Sequence, residues 1–195
     1  MSGGGKVATV LAGVAAFVLL HVAPAAAQSL VAEGSCRDGE PNGAYELRSA
    51  DGQIRVAGAF ARGRRTGTFL FWSSAGARVA AIPYDDDARA GTVALWYLPA
   101  NGRGEPQRKL EAAYAGDVLH GPTRSWHPNG NPRTDLRYDR GSLVEARAWA
   151  EAGAPLAEAI ARTQAERDVA TDAELYAALE KMVADHRPRC THHGR

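Results

Sequence analysis

Only two cysteines stand among 195 residues, too few for a disulfide-dense scaffold or a four-cysteine zinc module. Charge is scarce in surplus: 23 basic residues against 22 acidic ones leave a net +1. With no long run of Lys or Arg, a strongly basic nucleic-acid binder is excluded. Aromatics make up 7% of the chain, yet hydrophobic residues reach 45%. That apolar share, with so small a net charge, excludes a disordered chain. Catalytic signatures are missing too. There is no Gly-x-Ser-x-Gly elbow, and Gly102-Arg103-Gly104 lacks the third glycine and the following helix of a dinucleotide fingerprint. No catalytic residue and no cofactor-binding residue emerges, so the expectation is a non-enzyme without cofactor.

A single long apolar run is present, at the start. Residues 1–27 read as a secretory signal: Lys6 precedes an apolar stretch over 7–22, Pro24 ends it, and Ala25-Ala26-Ala27 suits a signal peptidase. The alternative is an uncleaved membrane anchor, because the run just reaches the ~20 residues that span a bilayer. Glu33, three before Cys36, argues against lipid attachment. The expected location is therefore outside the cytoplasm, periplasmic or secreted. Lys6 is the only charge in the segment, so the remainder is formally neutral. It has no global field to steer a charged partner.

From residue 43 the chain repeats itself. Gly43, Gly67 and Gly91 are 24 residues apart, and Gly121 follows after a further 30. Trp72, Trp96 and Trp126 each stand five residues after an opening glycine, with Arg48 at that place in the first copy. Turn glycines follow at Gly52, Gly76, Gly102 and Gly130, and closing aromatics at Phe60, Tyr84, Tyr114 and Tyr138. Three residues later come Gly63, Asp87, Asp117 and Gly141. Trp149 and Gly153 repeat the Trp-to-Gly spacing as a broken fifth copy. Within a copy apolar residues alternate, as in Phe69 and Phe71 or Val93 and Leu95, which is the period of a strand. Asp51-Gly52 and Asn129-Gly130 between such runs are hairpin cues. Each copy is thus expected to be a β-hairpin. The whole is mainly β: an antiparallel meander of repeated hairpins over 43–153, after a lead-in at 28–42, with a C-terminal helical segment. A lone hairpin is marginal in water, so neighbours must share one apolar face.

The pattern resembles MORN-type repeats, in the variant common in bacterial proteins described as antitoxin-like. The likeness is strongest over 121–141 (GPTRSWHPNGNPRTDLRYDRG) and covers roughly 43–153. It departs at Arg48, which replaces the Trp, at Asp87 and Asp117, which replace the last glycine, and at the GRGEPQ insertion of the third copy. The resemblance implies a hairpin sheet used for protein contact or, in some relatives, for membrane-lipid contact. It implies no catalytic residues.

After Pro155 the period changes. Thr171-Asp172-Ala173-Glu174 has the form of a capping box, and Leu175, Leu179, Met182 and Val183 make one helical stripe. Helices are expected over 154–187, packed on the sheet as a cap, with a tail at 188–195. Cys36 and Cys190 bracket the folded part, and an even pair in an exported chain favours a disulfide. Cys190, His192 and His193 lack further ligands at useful spacing, so no metal site is expected. Asp85-Asp86-Asp87 reads as a solvated acidic turn, Arg62, Arg64 and Arg65 as a hairpin tip, and His120 and His127 as solvated turn residues. Trp72, Trp96 and Trp126 have two readings, a partner surface or core. The functional expectation is an exported scaffold or interaction module for an unknown protein partner. Peripheral membrane-lipid or cell-wall binding is the alternative, and an antitoxin-like neutraliser stands behind both.

Overall fold

A computed structural model describes residues 29–100 and 105–191. The signal segment, the Gly102 turn and the His192-His193 pair lie outside the described residues. The strands are β1 (Leu30–Arg37), β2 (Glu40–Ser49), β3 (Ile54–Ala61), β4 (Arg64–Trp72), β5 (Arg78–Asp85), β6 (Ala88–Arg89), β7 (Gly91–Trp96), β8 (Arg108–Ala115), β9 (Val118–Trp126), β10 (Pro132–Asp139) and β11 (Ser142–Ala148). They form one antiparallel sheet in chain order, with the two-residue β6 pairing only β5. A single helix, α1 (Glu158–Asp185), follows. The expected meander of hairpins with a helical C-terminal segment is the fold.

Two turn types alternate, and they divide the work differently from the sequence expectation. Inside a copy, Ser49 N–H donates to Gln53 O and Gly52 N–H to Ser49 O. The same pair of bonds recurs over 73–77, 127–131 and 150–154. Only the glycine takes a positive φ (Gly52 85°, Gly130 89°), while Asp51 and Asn129 stay out of that region. These are three-residue loops closed by a left-handed glycine. The two-residue turns with both φ positive lie between copies, at Asp38-Gly39, Arg62-Gly63, Asp86-Asp87, Gly116-Asp117 and Arg140-Gly141. The lead-in is itself half a copy: β1 is its return strand, and Cys36 stands 24 residues before Phe60, at the closing-aromatic place.

Each copy also carries a bulge. The register slips between Leu47 and Arg48, Phe71 and Trp72, Leu95 and Trp96, and Pro132 and Thr134. That leaves Arg55, Val79, Lys109 and Arg133 without an opposite residue, and a bulge re-aims such a side chain. Lys109 and Arg133 reach α1, pairing with Asp172 (2.6 Å) and Asp168.

One sheet face is apolar and covered. Tyr45, Leu47, Val56, Phe60, Phe69, Phe71, Ile82, Tyr84, Val93 and Leu95 pack with Tyr176, Leu179 and Val183 of α1. A second cluster joins Leu136, Tyr138, Ala146 and Ala148 to Ala161 and Ala165. The helix therefore runs from the β11 edge towards β1. At the far end the Tyr45 hydroxyl donates to His186 O (3.2 Å), and Cys36 and Cys190 form a disulfide. The capping-box reading is corrected: α1 runs unbroken through Thr171, whose hydroxyl donates to Arg167 O, and Asp172 is buried against Lys109. The Thr171 hydroxyl, which would have capped a new helix start, instead bonds back into the preceding turn of a continuous helix.

Two stability predictions follow from this packing. The disulfide closes a loop spanning 154 residues, for which the chain-entropy argument gives at most ~5 kcal/mol. Replacing both cysteines by serine should lower the unfolding free energy by about 2–4 kcal/mol, read from urea titrations of the two proteins. Gly58 leaves the space that the Phe69 ring occupies, since a Cβ there would stand 2.7 Å from three ring atoms. Gly58→Ala should cost about 1–3 kcal/mol, with Phe69→Leu recovering part of the loss in the double variant.

Candidate binding faces of the sheet

Strand alternation decides which face each tryptophan takes. Phe71 and Leu95 are fully buried on the helix side, so their successors Trp72 and Trp96 point the other way. Trp126, after buried Ser125, and Trp149, after buried Ala148, do the same. All four are half-buried and none belongs to either apolar cluster. The structure thus brings Trp72, Trp96 and Trp126 together on the uncovered face and adds Trp149. Its spacing to Gly153 had marked it only as a repeat remnant. Consecutive tryptophans are two strands apart, about 9–10 Å.

Arginines fill the intervals between them. Arg78 is the cross-strand partner of Trp72, and its guanidinium carbon lies 5.3 Å from the centre of the Trp96 ring. Arg108, the partner of Trp96, approaches that ring to 4.5 Å and pairs with Glu111 at 2.6 Å. Arg55 Nε donates to Trp72 O. The partner of Trp126 is Pro132.

A second ladder ties the copies at their inter-hairpin turns. Asp87 Oδ1 accepts both the backbone N–H and the Nε–H of Arg65 at 2.9 Å. Asp117 repeats this with Arg89 (3.0 and 2.7 Å). Arg65 lies 4.0 Å over Tyr84, and Arg89 sits 4.9 Å from Tyr114 and 5.0 Å from Tyr176. The Tyr84 hydroxyl donates to Glu180 on α1. Arg64 pairs with Asp86. The basic tip and the acidic turn are therefore not independent solvated features: each copy's arginines meet the next copy's aspartates. Their separation, 22 residues for Arg64 and Arg65 and 28 for Arg89 across the copy with the insertion, is the sequence sign of it. His120 is exposed beside Asp139, but His127 is half-buried and its Nε2 donates to Trp149 O (2.9 Å), joining two loops.

Between α1 and the sheet lies a cavity of about 30 Å³, with Thr123, Ser125, Thr134 and Tyr176 among its lining. Ser125 and Thr134 bond each other, while the Thr123 and Tyr176 hydroxyls are buried without a partner. It is far below the volume of a pocket for an organic ligand. Burial pushes the Asp172 carboxyl up despite Lys109. Among the described residues no three His, Cys, Asp or Glu side chains converge as metal ligands.

No protein-family model matches the chain, and no curated protein matches it significantly.

Burial pushes the Asp87 and Asp117 carboxyls up, but the hydrogen bonds and charge of Arg65 and Arg89 outweigh it and hold both below the usual carboxylate range. Their stabilisation is complete above the unfolded value, about pH 4, and is lost as pH falls through the lower folded one. Both side chains are nearly half exposed, so the total is no more than about 1 kcal/mol. In urea midpoints measured from pH 7 to pH 3, the Asp87→Asn, Asp117→Asn double variant should lose less stability than the parent.

Proposed function

We propose that this chain is a non-enzymatic interaction module, exported from the cytoplasm, whose uncovered sheet face docks onto a protein partner. The observation that carries this is the row of Trp72, Trp96, Trp126 and Trp149. Four half-buried indoles on one face, with arginines against Trp96, have the composition that dominates interface energies. α1 occupies the opposite face, so a partner on the tryptophan side would displace nothing that the described residues place there. Export is supported by the Cys36–Cys190 bridge, which persists in oxidising compartments. No described helix is long and apolar enough to cross a membrane. The alternating turns and hairpins support reading the array as MORN-type.

One observation favours a second reading. The even interval of the indoles, two strands each, suits a periodic polymer such as a cell-wall glycan, or the arginines could meet anionic lipid headgroups.

The test is affinity capture from the native envelope fraction with Trp72→Ala, Trp96→Ala and Trp126→Ala proteins, alongside unfolding midpoints. Each substitution should leave the fold cooperative, costing about 1–2 kcal/mol, while capture of the partner drops at least tenfold. Loss of the fold in all three would make the row structural and overturn the proposal. Co-sedimentation with peptidoglycan or with anionic vesicles, and no captured protein, would replace it by the second reading.

A further inference from the structure

The tryptophan row has one irregular interval. Each of its intervals begins with a Trp and its cross-strand partner. For Trp72 the partner is Arg78 and for Trp96 it is Arg108. These two guanidinium groups occupy the spaces on either side of the Trp96 ring, at 5.3 and 4.5 Å. For Trp126 the partner is Pro132, which carries no cation and is too short to reach across. The space between Trp126 and Trp149 is instead an open notch of about 230 Å³, lined by both indoles, Pro132, Arg124 and Asp135.

The acidic member of the set is retained there. Glu111 stands three residues after Arg108 and pairs with it. Asp135 stands three residues after Pro132, at the same place in its copy. Its Oδ2 accepts from Arg147 at 2.9 Å, and its Oδ1 lies 3.7 Å from Arg124, beyond hydrogen-bonding distance. Both of those arginines are mainly solvent-exposed arms. The notch therefore keeps two tryptophans and a carboxylate oxygen beyond hydrogen-bonding reach of Arg124, and among the described residues no guanidinium lies against either of its indoles as two do at Trp96.

We propose that this notch is the anchor point of the docking face and receives an arginine side chain from the partner protein. The inference rests on the interaction-module reading and names its chemistry. A guanidinium fits because the protein's own guanidinium groups occupy the equivalent spaces. A planar cation can stack on an indole lining the notch, as Arg78 and Arg108 do on Trp96, while its N–H groups reach Asp135. Lysine, a compact and strongly hydrated charge, matches the slot less well. The nearby positive arms of Arg124 and Arg147 limit affinity for an isolated arginine, so binding of a single residue is weak and the rest of the interface must add to it.

The test uses the disulfide-intact protein and N-acetyl-arginine amide as probe, followed by the four indole N–H resonances. N-acetyl-citrulline amide, the neutral isostere, is the control. Arginine amide should shift the Trp126 and Trp149 resonances at millimolar concentration and leave Trp72 and Trp96 in place. Citrulline amide should move none. Pro132→Arg places the protein's own guanidinium in the notch and should reduce the arginine-induced shift at least tenfold, with the Trp72 and Trp96 resonances unmoved as evidence of an intact sheet. Asp135→Asn should weaken binding several-fold. Equal response to citrulline, uniform shifts of all four indoles, or undiminished binding to Pro132→Arg would overturn the assignment. If the Trp72 and Trp96 variants lose a captured partner while the probe leaves Trp126 unmoved, the docking face stands and the arginine notch falls.

Discussion

Covering the inner face of a sheet one layer thick is the condition on which everything else in this protein rests. Ten strands on one path leave nine gaps, about 43 Å from edge to edge, and the 28 residues of α1 extend about 42 Å. The helix is long enough to cross the sheet, and its contacts show that it does. Ala161 and Ala165 meet β10 and β11, Tyr176 to Val183 meet the aromatic cluster, and the disulfide ties the end to β1. Small alanines at one end and large side chains at the other follow the sheet beneath. The buried aromatics stack edge to face, Tyr45 on Phe60 and Phe60 on Phe69, in the first copies rather than the last. The stronger packing is thus at the end where the covalent tie also lies.

The bulges set where the helix sits. Lys109 and Arg133 occupy the same place in successive copies, and they meet Asp172 and Asp168, one helical turn apart. Two carboxylates at that spacing repel one another on an isolated helix. Only a sheet offering two cations at matching positions relieves the repulsion. Pairs of this kind add little net stability once desolvation is counted, but they fix which turn of α1 faces which hairpin. They also lie between the two apolar clusters of the helix.

Much of the architecture is written in the repeat. Period, alternation and turn glycines together require hairpins, and the Cys36–Cys190 pairing needed only the even count and the compartment. What could not be read follows from tertiary competition. Thr171 to Glu174 spells a helix start, yet the residues before it are helical too and the Thr171 hydroxyl bonds back to Arg167 O, so the helix runs through. Asp87 and Asp117 look like faults in a glycine position. They are tolerated because aspartate enters the left-handed region at modest cost, and each then holds an arginine of the preceding copy. For the candidate site, the row Trp72–Trp96–Trp126 was visible as a register. Alternation from Phe71 and Leu95 places Trp72 and Trp96 on the opposite face, but which face α1 covers is a tertiary outcome that the repeat alone does not state.

The side of the sheet on which the tryptophans stand bears on why they are there. Had they served the core, their parity would be that of Phe71 and Leu95. They stand one residue off, where a cross-strand pair adds only about 0.2–1 kcal/mol, and where arginines rather than apolar neighbours lie against them. Large indoles on an exposed face raise the tendency to associate and bring little stability in return. A repeat that places one in copy after copy on this face, with two guanidinium groups against Trp96, is what the proposed docking reading rests on. The first copy has Arg48 in place of the tryptophan, bound to Glu46 at 2.5 Å, so the tryptophan row begins only with the second copy.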